Sequence, residues 1–454
     1  MNAVIVGCGK VGSEIAMTLV TDGHNVSVID ASQKSLDNIE EYLDVMTFLG
    51  NGTDLELLKE AGIENADIFI AVSTSDEVNL LSCMIAKQFA KCETIARVRS
   101  PLYYKQAEFF KAKLGLSRVI NPEFVAASEM YNILQFPALS RIDVFEGTNV
   151  VISTMHVTPE YKMIGKNLQQ IRMETPNIKA LVCAAVRGDE VIIPSGDFVV
   201  NEGDDITMVA TRNDIRAFIK AEGIPNRPAE NIIIAGGGTI AHYLVEKLLT
   251  RGKNVRLIDK DEQKCIDFSE QFADCEVIKG DGTDRKFLMR HGLSMADAFI
   301  PLTGIDEENI VIANYAKNAT RAKVITKVSR TDMNDLIQTL KLDSVIYPKM
   351  MTADIITQYV RAKNAGAGGN VATLFRYLDN RIEIAEFKAT SEFKYLNIPF
   401  AELSLKKNLI IAGIIRGGEF IVPSGRNMIK DNDSVIIVTT NKGINSLTDI
   451  VAGK

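Results

Sequence analysis

The chain has 454 residues, of which 46% are hydrophobic and 24% charged, and its formal net charge is −7. At roughly 100–200 residues per domain, about two to four domains are expected, and an intrinsically disordered chain is excluded. The mixed, slightly negative charge argues against a broad surface for nucleic acid or anionic lipid. No apolar run approaches the roughly 18 residues that span a bilayer.

Cysteine spacing and the first residues bear on the cellular compartment. The chain enters a predicted strand within its first residues, without a basic leader region, so we expect no secretory signal peptide. The cysteines contain no C-x-x-C pair, which favours free buried thiols in a reducing cytoplasm over disulfides or zinc ligands. Any action at a membrane would then require a partner. The cysteines are Cys8, Cys83, Cys92, Cys183, Cys265 and Cys275.

The first thirty residues have the order of elements of a dinucleotide-binding fold. An apolar run, Val4–Val6, leads into Gly7, Gly9 and Gly12, which have the G-x-G-x-x-G spacing. These glycines permit a tight turn and a close approach of the backbone to a pyrophosphate at the positive end of the following helix. A second strand ends at Asp30, where a carboxylate can accept both ribose hydroxyls and repel a 2′-phosphate, so we expect NAD over NADP. The alternative is a loop that needs only positive φ angles.

Alternating strands and helices continue from this motif and predict a parallel sheet with helices on both faces. Helical patterns occupy Asp54–Glu60 and Glu77–Phe89. In each copy one further amphipathic helix, Glu123–Leu134 or Lys349–Ala362, follows a proline outside the minimal fold. This last helix packs either on a partner subunit or as an ordinary covering helix. The predicted strands are Ala3–Val6, Asn25–Asp30, Val45–Leu49, Ile68–Ala71, Thr94–Val98 and Arg118–Ile120.

The sequence repeats itself with a shift of about 230 residues. GCGKVG at Gly7–Gly12 returns as GGGTIA at Gly236–Ala241, and Asp30 returns as Asp259. Downstream, AAVRGDEVIIPSGDFVVNEGDD at 184–205 returns as GIIRGGEFIVPSGRNMIKDNDS at 413–434. We therefore predict an α/β chain with two Rossmann-like doubly wound parallel sheets, each followed by a small α+β domain. The predicted domains are residues 1–135, 146–222, 230–362 and 370–454, with a glycine-containing linker at 364–370.

Polar residues at the carboxyl ends of the fourth strands are candidates for ligand contact, because ligands bind at that edge of open α/β sheets. Ser73 and Thr74 in the first copy, and Thr303 in the second, are small enough to contact ribose or phosphate. Helix capping is the alternative for such residues, and we expect it from Asp76. Thr53-Asp54 and Thr283-Asp284 each begin a helix, and capping is favoured there.

The fifth strand carries two arginines on one face, Arg97 and Arg99, where guanidinium groups suit bidentate phosphate binding. Surface charge pairing is the alternative. The second copy has Lys327 and Ser329 at the matching positions, so the two copies are not expected to bind the same ligand equally well.

Catalytic residues are hard to find. The histidines His24, His156, His242 and His291 do not recur between copies, and no nucleophile elbow, zinc-protease motif or P-loop is present. A dehydrogenase needs a general acid or base beside the nicotinamide, and the small domains offer little material for a substrate domain. An NAD-dependent oxidoreductase is therefore the second hypothesis, and a structural assembly protein with vestigial glycine turns is the third.

The motifs as a set resemble a known family. GCGKVG, the DIFIAVSTSDEVNLL run and INPEFVAA together look like the RCK domain of potassium transport, and RGDEVIIPSGDFVVNEGDDI looks like its C-terminal companion. The resemblance covers nearly the whole chain. It implies a cytosolic regulatory subunit without a reaction of its own, which binds NAD/NADH and ATP/ADP and gates a membrane potassium uptake channel. It further implies a homotetrameric ring, held peripherally at the inner face of the plasma membrane by the membrane potassium-translocating subunit.

Site residues follow from the motifs and, by position, from the resemblance. Ala241 stands where the second copy would have its third glycine, a common variant that does not exclude binding. The candidate contacts of the first copy are Gly7, Cys8, Gly9, Lys10, Val11, Gly12, Asp30, Ser73, Thr74, Arg97, Val98 and Arg99. Those of the second copy are Gly236, Gly237, Gly238, Thr239, Ile240, Asp259, Thr303 and Lys327.

Overall fold

The contacts within the chain divide it into two units. One unit joins Met1–Tyr131 with Glu230–Val360, and the other joins Asn132–Ala229 with Arg361–Lys454. In the described part of the chain, no helix is both long and apolar enough to cross a membrane. Most of the predicted linker, 366–370, lies outside the described residues. The structure, a computed structural model, describes residues 1–145, 147–224, 227–330, 333–342, 344–365, 371–377, 381–441, 444 and 446–452.

The first Rossmann-like copy is a six-stranded parallel sheet in the order β3-β2-β1-β4-β5-β6. The strand order reverses between β1 and β4, which places the glycine turn at the edge where open α/β sheets bind ligands. The strands are β1 (Asn2–Val6), β2 (Asn25–Asp30), β3 (Met46–Leu49), β4 (Ile68–Ala71), β5 (Glu93–Arg97) and β6 (Arg118–Ile120). The helices are α1 (Lys10–Thr21), α2 (Gln33–Glu40), α3 (Leu55–Glu60), α4 (Asp76–Phe89), α5 (Pro101–Tyr104), α6 (Ala107–Leu114) and α7 (Pro122–Gln135).

The first small domain is a five-stranded antiparallel sheet in the order β10-β9-β11-β8-β7. Its strands are β7 (Arg141–Val144), β8 (Val150–His156), β9 (Ala180–Arg187), β10 (Glu190–Ile192) and β11 (Asp205–Thr211). Its helices are α8 (Leu168–Glu174) and α9 (Arg212–Ala221).

The second copies repeat both topologies, with sheet orders β14-β13-β12-β15-β16-β17 and β18-β19-β22-β20-β21. The predicted fold class is confirmed. The strands are β12 (Asn231–Ala235), β13 (Asn254–Asp259), β14 (Cys275–Lys279), β15 (Ala298–Pro301), β16 (Lys323–Lys327), β17 (Ser344–Ile346), β18 (Val371–Tyr377), β19 (Ile382–Lys388), β20 (Leu409–Arg416), β21 (Glu419–Ile421) and β22 (Ser434–Thr439). The helices are α10 (Thr239–Leu249), α11 (Glu262–Gln271), α12 (Arg285–Arg290), α13 (Asp306–Ala319), α14 (Asn334–Thr339) and α15 (Pro348–Ala365).

Helix α15 of the second copy packs on the sheet of the first. Its residues Ala353, Ile356 and Val360 belong to the buried core formed by α1, α2 and one face of the first parallel sheet. Tyr359 donates a hydrogen bond to the carboxylate of Glu93 at 2.7 Å. The predicted alternatives for the last helix were a partner subunit or a local covering role, whereas α15 covers the other Rossmann-like copy of its own chain.

Helix α7 of the first copy makes the reciprocal contact. The ring of Phe124 lies edge-on to the ring of Tyr243 on α10, with centroids 5.5 Å apart, and the Lys247 ammonium lies 4.4 Å above Phe124. Just before α7, the side-chain amide of Asn121 donates to the Tyr243 hydroxyl at 2.9 Å. Burial raises the pKa of Tyr243, so its hydroxyl stays protonated in this contact. The two Rossmann-like copies therefore share their cores through exchanged helices.

In the second unit, the two antiparallel sheets contribute to one core. Phe145 beside the first sheet and Phe375 of the second meet edge to face, with ring centroids 5.1 Å apart. Each sheet also carries a bidentate arginine–aspartate pair, Arg187 with Asp204 and Arg416 with Asp433, in which the carboxylate is almost fully buried. The six cysteines, all within the described residues, are buried free thiols.

We predict that Ile356→Ala, although it lies in the second copy, loosens the sheet of the first. A buried Ile→Ala substitution costs about 2–5 kcal/mol, because it removes apolar contacts and leaves a cavity. Hydrogen exchange should become faster in β1 and β4 as well as in α15. Ile266→Ala on α11, where the side chain is 44% exposed, is the control and should leave exchange unchanged. Faster exchange confined to residues 348–365 would contradict the exchange of helices.

Candidate nucleotide site

Each glycine turn is shaped by close backbone packing on one side and open space on the other. Gly7 has φ of +101°, and a Cβ there would stand 2.7 Å from the backbone nitrogen of Ser73. Gly9 and Gly238 precede α1 and α10 as N-cap residues without a side-chain cap, and a Cβ added at either would meet nothing within 4 Å. The first N–H groups of both helices are therefore left for a ligand, and the helix dipoles favour an anion there.

The two predicted acids hold the turns in the same way. Asp30 accepts hydrogen bonds from the backbone N–H groups of Cys8, at 2.5 Å, and Ser32, at 2.8 Å. Asp259 accepts the equivalent bonds from Gly237 and Asp261, at 2.6 and 2.8 Å. Carboxylate oxygens retain further acceptor capacity for ribose hydroxyls. Asp259 is only 8% exposed, whereas Asp30 is half-buried, so the acid of the first copy is more accessible.

A buried asparagine in each copy joins the ends of the fourth and fifth strands. The side chain of Asn79, which is fully buried, accepts from the Ser73 N–H at 2.8 Å and donates to the carbonyls of Ser73 and Arg97 at 3.1 and 2.9 Å. Asn309 repeats these bonds with Thr303 and Lys327. Sequence analysis did not single out either asparagine, although the repeat places them at the same helical position.

The prediction that Asp76 caps α4 is wrong. Ser75 is the N-cap, and its hydroxyl accepts from the N–H of Val78 at 3.2 Å. Asp76 is the first helical residue, and its carboxylate instead reaches the loop after β5, where it accepts from the N–H groups of Arg99 and Ser100. The capping predicted for Asp54 and Asp284 is confirmed, because each accepts two N–H groups of the helix it precedes.

Both glycine turns line one cleft of about 1220 Å³ within the first unit. The copies thus face each other across a shared space. Of the predicted contacts, those that line the cleft are Gly7, Gly9, Lys10, Val11, Asp30, Ser73, Thr74, Arg97, Arg99, Gly236, Gly237, Gly238, Thr239, Ile240, Asp259, Thr303 and Lys327.

Three predicted residues lie outside the lining. Val98 is fully buried in the core on the α4 face of the sheet. The Cys8 thiol points away towards Ser13 and Ser35. A Cβ at Gly12 would lie 1.8 Å from the Gly7 carbonyl oxygen, so this glycine serves the packing of the helix against its own turn. Contact through the backbone of these residues stays a prediction.

Cations from both copies converge in the cleft. Arg97 and Lys327, at matching strand ends, point to the carbonyls of Ser73 and Thr303, at 3.4 and 3.0 Å. Burial lowers the pKa of both side chains. Burial also lowers the pKa of Lys349, and the neighbouring positive charges of Lys10, Arg97 and Lys327 lower it further. We call Lys10, Arg97, Lys327 and Lys349 the cation cluster.

Arg99 is held differently from Arg97. Its Nε donates to the Glu123 carboxylate at 2.7 Å, which is the charge pairing that sequence analysis left open as the alternative to phosphate binding. Glu123 is 8% exposed, and its second oxygen has no hydrogen-bond partner among the described residues. The Nε of Arg97 is likewise buried without a partner in the described part of the chain. Buried polar groups of this kind in a cleft can bond to water or to a polar ligand.

Sequence analysis missed Glu123 and Lys349 as members of the site. Both line the cleft, and both are the residue after the proline that begins an exchanged helix. Aligning Asn121-Pro122-Glu123 with Tyr347-Pro348-Lys349 exposes the signal, because one repeat position carries opposite charges in the two copies. Their place in the cleft, however, depends on the helix exchange.

Family models match most of the chain in two pairs. The TrkA-N domain matches residues 3–122 and 232–348, and the TrkA-C domain matches residues 153–223 and 384–452. The chain belongs to the TrkA family. The Trk system potassium uptake protein TrkA homolog 1 of Methanosarcina mazei is 29% identical over 446 residues, which cover 96% of this chain and 97% of that protein. The resemblance to tandem RCK domains is thereby confirmed.

Solved structures share the fold. A structure of the GsuK channel bound to NAD is 18% identical with a TM-score of 0.64, and the match covers 97% of this chain and 77% of that one. A structure of GsuK bound to ADP is 15% identical with a TM-score of 0.50, covering 80% of this chain and 69% of that one.

We predict that Asn79→Ala destabilises the first copy, because it removes the side-chain partner of the Ser73 N–H and of the Arg97 carbonyl. Each unsatisfied group costs about 1–3 kcal/mol. Thermal unfolding should begin at a lower temperature. Asn309→Ala is the matched variant of the second copy, and Asn318→Ala, at an exposed position on the same helix as Asn309, is the control. Equal melting curves for all three variants would show that the hydrogen bonds of Asn79 and Asn309 contribute nothing to stability.

Proposed function

We propose that this TrkA-family chain is a ligand-sensing regulatory subunit of potassium uptake, which binds NAD/NADH and ATP/ADP and gates a membrane potassium-translocating subunit without a reaction of its own. The observation that carries the proposal is the shared cleft, into which both uncapped glycine-turn helices and both acids open. The name of the Methanosarcina relative supports the role in potassium uptake. The fold shared with a channel that binds NAD supports the ligand.

The residues present fit a dinucleotide. The open space at Gly9 and Gly238 has room for a pyrophosphate against the helix N-termini, and Asp30 is placed for the ribose hydroxyls. Asp30 also fixes the turn through its bond to Cys8, so the same side chain orients the donors of the phosphate subsite. Its negative charge disfavours a 2′-phosphate, which supports NAD over NADP.

The cation cluster fits a ligand with more negative charge than NAD. Four cations from two copies face a space whose neighbouring acids are Glu123, Asp76 and Asp306. Glu123 is already engaged by Arg99, and the two aspartates accept from the backbone N–H groups of Ser100 and Ser329. Burial makes the mutual repulsion of the four cations expensive, and a polyphosphate would relieve it through charge-assisted hydrogen bonds. We assign this contact to ATP or ADP.

Gating follows from the sharing of the cleft. A ligand that contacts both copies favours one spacing of the two strand-end edges over another, and it shifts the equilibrium only by its difference in affinity for the two arrangements. We place the chain in the cytoplasm, as a homotetrameric ring at the inner face of the plasma membrane, attached through the membrane subunit rather than by insertion.

Calorimetric titration of the full chain tests the dinucleotide site. Asp30→Ala should weaken NADH binding about 10- to 100-fold, because a hydrogen bond to a charged group contributes about 1.5–3 kcal/mol. Asp30→Asn, which keeps an acceptor for Cys8, separates ribose contact from turn geometry. Asp37→Ala, at an exposed position on α2, is the control. Asp259→Ala reports on the second copy. NADH should not be oxidised in the presence of hydroxy acids and aldehydes. Oxidation of NADH would contradict the regulatory proposal.

Potassium flux into vesicles that contain the membrane subunit and this chain tests gating. ATP, ADP and NADH should change the flux to different extents. Lys349→Ala should weaken the apparent affinity for ATP, read from the flux, about 10-fold, because about one charge-assisted contact is lost. The response to NADH should stay nearly unchanged. Lys264→Ala is the matched control, because this exposed lysine of α11 also lines the cleft but lies outside the cation cluster. A flux that no nucleotide alters would contradict the proposed function even if binding persists.

A further inference from the structure

Strand β3 forms one edge of the first parallel sheet. Within the described part of the chain it pairs only with β2. The N–H of Gly50, directly after the strand, donates to the carbonyl of Asp30 on β2 at 2.9 Å. Because backbone groups alternate in direction along a strand, the N–H groups of Thr47 and Leu49 point away from β2. The edge therefore presents backbone donors to which another strand can bond.

Exposed apolar side chains flank this edge. Met46 is 59% exposed and Leu49 is 53% exposed, and they lie on opposite faces of the strand. Tyr42, between α2 and β3, is 53% exposed. An edge strand with exposed apolar residues invites pairing with another chain, and proteins usually prevent this with charged side chains.

The second copy has such charges at the same edge. At the repeat shift of 230 residues, Glu276 stands in place of Met46. Lys279 stands in place of Leu49. Each of these two charged side chains forms an ion pair with a neighbouring residue of its own copy. The fold thus accepts charge at both positions, so the apolar residues of the first copy are not required by the sheet itself.

An acidic rim, which we define as Glu40, Glu41 and Asp44, borders the β3 edge. All three carboxylates are exposed, and among the described residues no cation forms an ion pair with them. Glu40 accepts a hydrogen bond from the Thr47 hydroxyl on the strand itself. Lys34 lies at the opposite end of α2. A partner that docks along this edge is therefore complementary if it carries positive charge.

We propose that the β3 edge binds an extended, Lys/Arg-rich cytoplasmic segment of the membrane potassium-translocating subunit, which adds a strand to the first sheet. Strand addition supplies main-chain hydrogen bonds, and the apolar side chains beside the edge contact alternate residues of the segment. Cytoplasmic loops of membrane proteins carry an excess of Lys and Arg, which matches the acidic rim. The partner is taken from the proposed function, and the structure supplies its surface.

A second copy of this chain fits the edge less well. Pairing of two β3 edges would bring two acidic rims together, and like charges across an interface repel each other. The corresponding edge strand of the second copy, β14, carries the charged residues Glu276 and Lys279 in place of apolar ones. The occupant is therefore a basic segment from a different protein.

The β3 edge ends at the nucleotide cleft. Leu49 directly precedes Gly50 and Asn51, and both of these residues line the cleft. The backbone of Gly50 is bonded to that of Asp30, the acid of the proposed ribose contact. A ligand that shifts this turn changes the affinity for the docked segment, and by linkage the segment changes the affinity for the ligand by the same factor.

Cosedimentation of the full chain with lipid vesicles that contain the membrane subunit tests the edge. Met46→Glu/Leu49→Lys gives the first copy the charges of the second, and it should weaken binding at least about 10-fold because docking would then bury two charges. Thr47→Pro removes one outward N–H and should also weaken binding. Thr47→Val loses the same hydroxyl but keeps the N–H, so it should bind like the wild type.

Charge reversal tests the acidic rim separately. Glu41→Lys/Asp44→Lys should weaken binding at least about 10-fold, since like charges would then face each other. Glu270→Lys/Asp274→Lys reverses the exposed acids at the matching positions of the second copy, and this control should bind like the wild type. Added salt should weaken binding of the wild-type chain, because exposed charges are screened.

The outcomes separate the β3 edge from the nucleotide site. Wild-type binding by Met46→Glu/Leu49→Lys or by Thr47→Pro, or equal binding to vesicles without the membrane subunit, would overturn the proposal. Altered self-association of the Glu41→Lys/Asp44→Lys chain alone would assign the edge to a second copy and would overturn it as well.

Potassium flux into the same vesicles measures the proposed function independently. Loss of binding in the β3 variants, in vesicles whose flux no nucleotide alters, would uphold the β3 edge while the ligand-sensing function fails. Normal nucleotide control of the flux by Met46→Glu/Leu49→Lys would uphold the function and overturn the edge. Failure of the wild-type chain to bind would overturn both.

Discussion

The first unit depends on the exchange of α7 and α15 between the Rossmann-like copies. Burial of Ile356 in the core of the first sheet, and of Tyr243 beside Phe124, makes each copy incomplete without the other. Apolar burial of this kind contributes about 25 cal/mol for each Å² removed from water. The exchanged helices therefore contribute to the stability of the first unit as parts of its core. It also turns the ligand-binding edges of the two sheets towards one space. The shared cleft is thus a result of how the cores are completed.

Much of the fold could be predicted from the sequence because its signals are local or repeated. Glycine spacing, strand–helix alternation and a second appearance of each motif were enough for the sheets and their order of occurrence. The surface on which α15 packs could not be predicted, because an amphipathic pattern shows that one face of a helix is buried but not what covers it. The partner of Ile356 lies hundreds of positions away in sequence, and covering roles within and between subunits give the same pattern.

The site residues also divide into those that local sequence signals predicted and those that depend on distant contacts. Residues whose role depends on the turn itself, such as Gly7 and Asp30, were found from spacing. Asn79 was missed because a polar residue on a helix usually faces solvent, whereas here it binds the backbone ends of two strands. Glu123 and Lys349 were missed because their helices enter the cleft only through the exchange. Asp76 was misassigned since capping is decided by one residue of register, and Ser75 already occupies that position.

Comparison of the two copies separates the residues that hold the backbone from the residues whose charges face outward or into the cleft. Bonds that hold the backbone recur, as in Asp30 and Asp259 or Asn79 and Asn309, whereas some of the charges that face outward or into the cleft differ. Glu123 and Lys349 differ in sign, and so do Glu60 and Arg290. Two identical copies would present a ligand with the same contacts from either side, and it would then have no preferred orientation across the cleft. Under the proposed function, a nucleotide shifts an equilibrium only through contacts that differ between states, and unlike copies would give each nucleotide its own set of such contacts.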